Sequence, residues 1–137
     1  MGKAKQDLTE KLAVRIAKST ETGVDEMTRV AGFFAKADRI LAKRESAPPE
    51  LLEKLSHSGD RYTRRNVTRN PNCPRETLLR LGPQFPGDFM DNPVFDWLLL
   101  EDPSSFAEIE EKILVSMLKR KNCPQSFINW AAEHGRK

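Results

Sequence analysis

Apolar positions recur every three or four residues from the start of the chain. Leu8, Leu12, Ala13, Ile16 and Ala17 keep helical spacing. Asp7-Leu8-Thr9-Glu10 reads as a capping-box start, with an acceptor side chain three residues before a glutamate. Thr20-Glu21-Thr22-Gly23 punctuates that helix. Val24, Met27, Ala31, Phe34 and Ile40-Leu41 then predict a second helix with one apolar face. Two amphipathic helices predict an N-terminal helical hairpin, or cap, over residues 1–45, packed against the remainder.

The pattern changes at residue 46. All nine prolines lie at Pro48 or beyond, and prolines this dense cut helices short. They also mark a repeat. Asn72-Cys73-Pro74 returns as Asn122-Cys123-Pro124, and Ala47-Pro48-Pro49 stands 26 residues before the first copy. Each proline leads a Pro-x-x-x-apolar-x-x-apolar segment, as in Pro74 to Leu81. A looser copy runs from Asn92-Pro93 to Leu100 and pairs with Asn70-Pro71 at a spacing of 22. Proline suits the first helical turn, where its missing N–H has no intrahelical partner anyway. Units of 22–26 residues cannot bury their apolar faces alone, so they must stack.

The best-defined unit reads Leu52, Leu55, Asp60, Arg64-Arg65, Val67, Asn70-Pro71, Pro74, Leu78, Leu81. This resembles the leucine-rich repeat variant family, over roughly residues 46–134. The resemblance implies an all-α fold: a short right-handed solenoid of alternating α- and 3₁₀-helices over residues 46–137, preceded by the N-terminal hairpin. One relative of that family carries an iron–sulfur cluster on a cysteine-rich N-terminal segment. No cysteine precedes Cys73 here, so that cofactor is not carried over, and no cofactor or metal is expected.

Charge changes the picture through its distribution, since the net charge is only +3. Residues 1–60 are balanced, with 11 basic and 10 acidic groups. Arg61, Arg64, Arg65, Arg69, Arg75 and Arg80 then stand against the single acid Glu76. Residues 88–111 carry eight acids and no base. On a helix, Arg61, Arg65 and Arg69 fall on one exposed stripe with Arg64 beside it. Such a cluster can hold a carboxylate-rich partner or phosphates, or be a solvated face neutralised by the acids of the next repeat.

Other chemistry is sparse. Cys73 and Cys123 share the repeat position of Ala47, which reads as a small buried filler, and with His57 and His134 they lack zinc-ligand spacing. His57 and Asp60 could be drawn as a dyad, but no nucleophile or oxyanion motif accompanies them. Trp97, Trp130 and Phe127 read as core. Gly82-Pro83-Gln84-Phe85-Pro86-Gly87 is the least repeat-like stretch. Phe85, Phe89 and Phe95 around it are either exposed anchors for a partner or a plug folded into the stack.

These observations predict a non-enzymatic, cytoplasmic adaptor that binds another protein or peptide, an acidic one, through the Arg61–Arg80 face, the Phe85–Phe95 edge, or both. Nucleic acid is the rival partner. The acidic block argues against a long duplex, and only Tyr62 interleaves the arginines. No signal peptide is legible at Met1 to Gln6, and the longest apolar run, Trp97 to Leu100, is far too short for a membrane span.

Overall fold

Among the described residues, 9–134, the computed structural model contains eleven α-helices, one 3₁₀ turn and no strand. They are α1 (Glu10–Lys18), α2 (Val24–Val30), α3 (Ala35–Lys43), α4 (Pro49–Leu55), α5 (Arg61–Arg69), α6 (Arg75–Leu81), the 3₁₀ turn Gly82–Gln84, α7 (Pro86–Asp91), α8 (Phe95–Glu101), α9 (Pro103–Phe106), α10 (Glu111–Leu118) and α11 (Gln125–His134). The odd-numbered helices α1, α3, α5 and α7, and then α10, begin at residues 10, 35, 61, 86 and 111. That is one start every 25 or 26 residues, and we call these the A helices. Each is followed by a corner and a B helix: α2, α4, α6, α8 and α11.

The corner itself repeats. After α1, α3, α5, α7 and α10 a backbone N–H bonds back three residues: Thr22 to Ser19, Ala47 to Arg44, Cys73 to Asn70, Phe95 to Asn92 and Cys123 to Arg120, all at 2.9–3.3 Å. The period therefore starts at α1. It is not confined to residues 46–137, and the glycine- and proline-rich stretch before Gly87 leads into a regular A helix, α7.

The chain divides into two compact units, Met1–Pro74 and Arg75–Lys137. In the first, α1 packs on α3 and α3 on α5, with α2 against α1 and α4 against α3 and α5. The expected hairpin at 1–45 is thus continuous with α4 and α5. Fully buried Ala13, Ala17, Ala37 and Ala42 let the A helices approach closely, while Leu41, Leu51, Leu52, Leu55 and Val67 fill the space beneath. The second expected helix is two helices. Ala31 to Phe34 break it, and Gly32 sits at φ +95°, a backbone region glycine enters cheaply. The buried Asp38 carboxylate accepts the Gly32 N–H at 2.9 Å, which fixes the break. Val24, assigned to the apolar face, is exposed. The cap of α1 is Thr9, whose hydroxyl accepts from Leu12 N at 3.2 Å; Asp7 and Leu8 lie outside the described residues.

Side chains at the A-helix ends tie the first unit together. Arg44, capping α3, donates to the Ala17 and Ser19 carbonyls at the end of α1. Asn70, capping α5, donates to the Ala42 and Arg44 carbonyls at the end of α3, both at 2.8 Å. The acceptors are the cap residue of the preceding A helix and the residue two before it, both times. This ladder sets α1, α3 and α5 parallel with their C-terminal ends in register.

In the second unit α8 packs on α7, α9 and α11, and α10 on α7. Its core is aromatic. Phe89 meets Phe95 edge-on at 4.9 Å and stacks on Phe106 at 5.7 Å; Phe127 and Trp130 continue the cluster. Gly82 is required by close approach, since a Cβ there would lie 2.5 Å from the Phe89 ring. Phe85, Phe89 and Phe95 are all buried, which corrects their reading as possible surface anchors. The 3₁₀ turn and α7 fold Phe85 and Phe89 inward, and Phe95 opens α8 against Phe89. Trp97 departs the other way: it is 54% exposed on α8.

Candidate functional site

The six arginines of the cluster are divided between the two units. Arg61, Arg65 and Arg69 are exposed along α5. Arg64 is half-buried and donates to the Ser58 carbonyl at 2.9 Å, a structural role. Arg75 and Arg80 lie on α6, in the second unit. Arg75 is ion-paired with Glu101, and its guanidinium lies 6.0 Å from the Trp97 ring centre. Part of the acidic block therefore neutralises part of the arginine cluster, one of the alternatives the sequence left open.

The first unit carries a better-organised feature. Counting back from each cap residue (Ser19, Arg44, Asn70), the positions eight, five and one before it fall on one helical face. On α1 they are Lys11, Val14 and Lys18; on α3, Lys36, Arg39 and Lys43; on α5, Tyr62, Arg65 and Arg69. The side-chain ladder holds these three stripes in register, so they form a three-by-three grid. Seven positions are basic and none is acidic. All are exposed except Val14 and Arg39, which are half-buried. Arg15 and Arg61 add charge beside the grid.

The opposite layer has the opposite sign. The B helices α2 and α4 carry Asp25, Glu26, Glu50 and Glu53 against Arg29 and Lys54. Within the first unit, α1, α3 and α5 thus carry an excess of base and α2 and α4 an excess of acid. The two acids of α1, α3 and α5 lie off the grid: Glu10 at the start of α1, and Asp38, which is buried. Burial raises the Asp38 pKa, opposed by the Gly32 N–H and by Lys54.

One ion pair shapes the grid's centre. Arg39 grips Asp60 through two hydrogen bonds of 2.8 Å, Nε to Oδ2 and Nη2 to Oδ1. Asp60 caps α5 by accepting from the Thr63 N–H at 3.0 Å and hydroxyl at 2.7 Å. The Arg39 guanidinium, then the Thr63 bonds, hold the Asp60 carboxyl well below the usual carboxylate range. Arg39 also lies 4.7 Å over the ring of Tyr62, which is 53% exposed. Asp60 is therefore committed to Arg39, while the His57 ring bonds Glu53 at 2.8 Å; the two do not form a dyad. A polar cleft of about 290 Å³ lies between the ends of α3 and α5, lined by Lys43, Glu45, Asn66, Arg69, Asn70 and Pro71.

The remaining candidates have local roles. Cys73 is buried, and Cys123 is half-buried with its thiol pushed up by burial. His134 stacks on Trp130 at 5.7 Å. No group of three or more His, Cys, Asp and Glu side chains could hold a metal ion among the described residues. No helix among them is long and apolar enough to cross a membrane.

Sequence reasoning found Arg65, Arg69 and Tyr62 but missed Lys11, Lys18, Lys36, Arg39 and Lys43. The signal was available: Lys11 and Lys36, and Lys18 and Lys43, stand 25 residues apart. Comparison with protein-family models, with curated proteins and with solved structures found no match.

Proposed function

We propose that this chain is a non-enzymatic interaction module, a helical-repeat solenoid of the leucine-rich repeat variant type, that holds a negatively charged partner on the A-helix face of its first unit. The observation that carries the reading is the sorting of charge between the A and B layers. A solvated surface interleaves both signs, whereas here one layer has a grid with seven bases and no acid. The 25-residue recurrence of helix starts and corners supports the repeat architecture. The acidic partner expected from the arginines of α5 remains, and its footprint shifts from Arg61–Arg80 to α1, α3 and α5. A cytoplasmic location fits a sequence whose two cysteines make no disulfide framework.

Retention on a sulfated polyanion resin tests this. Lys18→Glu/Lys43→Glu is expected to elute at markedly lower salt than wild type. Lys112→Glu/Lys119→Glu, the same charge change on α10 and its end, is expected to elute near wild type. Equal weakening by both pairs would show that net charge alone governs retention and would overturn the reading.

A further inference from the structure

We propose that the partner on this face is single-stranded nucleic acid, its backbone lying across the grid and one base stacked on Tyr62. This rests on the reading of the A layer as the binding surface and names its ligand.

The dimensions fit a strand. Seven residues of helix rise about 10 Å, and two interhelical spacings of about 8–10 Å span roughly 16–20 Å. Seven bases therefore cover an area that a few nucleotides of backbone would cross. Arg39 is offset by Asp60.

Two features favour nucleic acid over an acidic protein. Protein partners draw most of their affinity from aromatic or apolar anchors seated in pockets. The cleft at the grid's edge is polar, and the aromatic at its corner is a half-exposed ring on the surface. Arg39 lies over one face of that ring, and an aromatic ring backed by a cation beside a basic surface is the arrangement that stacks bases of a single strand.

The placement of the bases carries further weight. Lys18, Lys43 and Arg69 end their helices, where the macrodipole favours a cation. Lys11 and Lys36 are second residues of α1 and α3, and Arg61 is the first of α5, where the dipole disfavours one. Local helix stability does not explain them. A ligand that needs positive charge at both ends of the face does.

The test is fluorescence anisotropy of the full chain with a labelled mixed-sequence 12-nucleotide DNA, its duplex, and a polyglutamate peptide of matching charge. With about four phosphates neutralised, the single-strand slope of about −0.7 per phosphate gives roughly 50-fold weaker binding at 200 mM than at 50 mM salt. Tyr62→Ala is expected to lose about tenfold, within the range for one stacked base, and Tyr62→Phe to keep wild-type affinity. Lys11→Glu/Lys36→Glu is expected to abolish binding. Glutamate suits the first turn, so this variant should fold at least as stably as wild type, and loss of binding reports the charges. Duplex bound as tightly as single strand, with Tyr62→Ala unchanged, would overturn the inference. Polyglutamate bound without any DNA binding would overturn it too and leave the proposed function standing. Binding of neither would sink both.

Discussion

Asn70 is where sequence, corner and packing meet, and replacing it gives a worked test of the ladder. The residue is 3% exposed. Its amide nitrogen donates to the Ala42 and Arg44 carbonyls, and its oxygen accepts from the Asn72 N–H at 2.8 Å. Asn70→Ala removes all three bonds. A net loss of about 0.5–1.5 kcal/mol per bond, with a further penalty of about 1–3 kcal/mol where a carbonyl is left buried without a donor, sums to about 2.5–7.5 kcal/mol. Asn72 provides the control. It also donates twice to the preceding corner, to the Glu45 and Ala47 carbonyls, but it is exposed and water can replace it. Asn72→Ala should therefore cost less than about 1 kcal/mol. Urea denaturation followed by circular dichroism measures both. If Asn70→Ala lies within about 0.5 kcal/mol of wild type, or the two variants are equal, the ladder does not hold the A helices in register.

Phe89→Ala should destabilise by about 3–5 kcal/mol, read as a lowered urea midpoint, because the ring touches both Phe95 and Phe106 in a closed core. Gly32→Ala should cost about 1–2 kcal/mol by the same assay, since φ +95° strains any residue with a Cβ. The Asp60 carboxylate is favoured in the fold. Its contribution is complete above the unfolded value of about 3.9 and drains away as pH falls toward the depressed folded value. Asp60→Asn should thus lower the urea midpoint at pH 6 and narrow its gap to wild type at pH 2.5. Asp38 is shifted upward and acts in the opposite sense, but it is common to both proteins.

The corners between helices were legible wherever a proline or asparagine marks one, as at Pro48, Asn70-Pro71 and Asn92-Pro93. One was hidden at Ser19, where the corner has the same backbone bond but neither residue. A backbone turn of this kind tolerates many side chains, so its marker residues are optional. The break at Gly32 was missed because Met27, Ala31 and Phe34 keep helical spacing across it. The aromatics near α7 could not be placed from composition, since Phe89 is buried by contacts with Phe106 and other residues far along the chain. The grid escaped for a different reason. Counting charge along segments averages helices that face opposite ways, so Lys36 and Lys43 cancelled against Glu50 and Glu53 while the fold sets them on different layers.

Backbone amide shifts of the ¹⁵N-labelled chain during titration with the 12-nucleotide strand would locate the binding surface residue by residue. Perturbations are expected to concentrate on α1, α3 and α5, strongest near Lys36, Tyr62 and Arg65, with α2 and α4 quiet. Perturbations centred on α2 and α4, or confined to residues 75–137, would contradict a binding surface on the A layer.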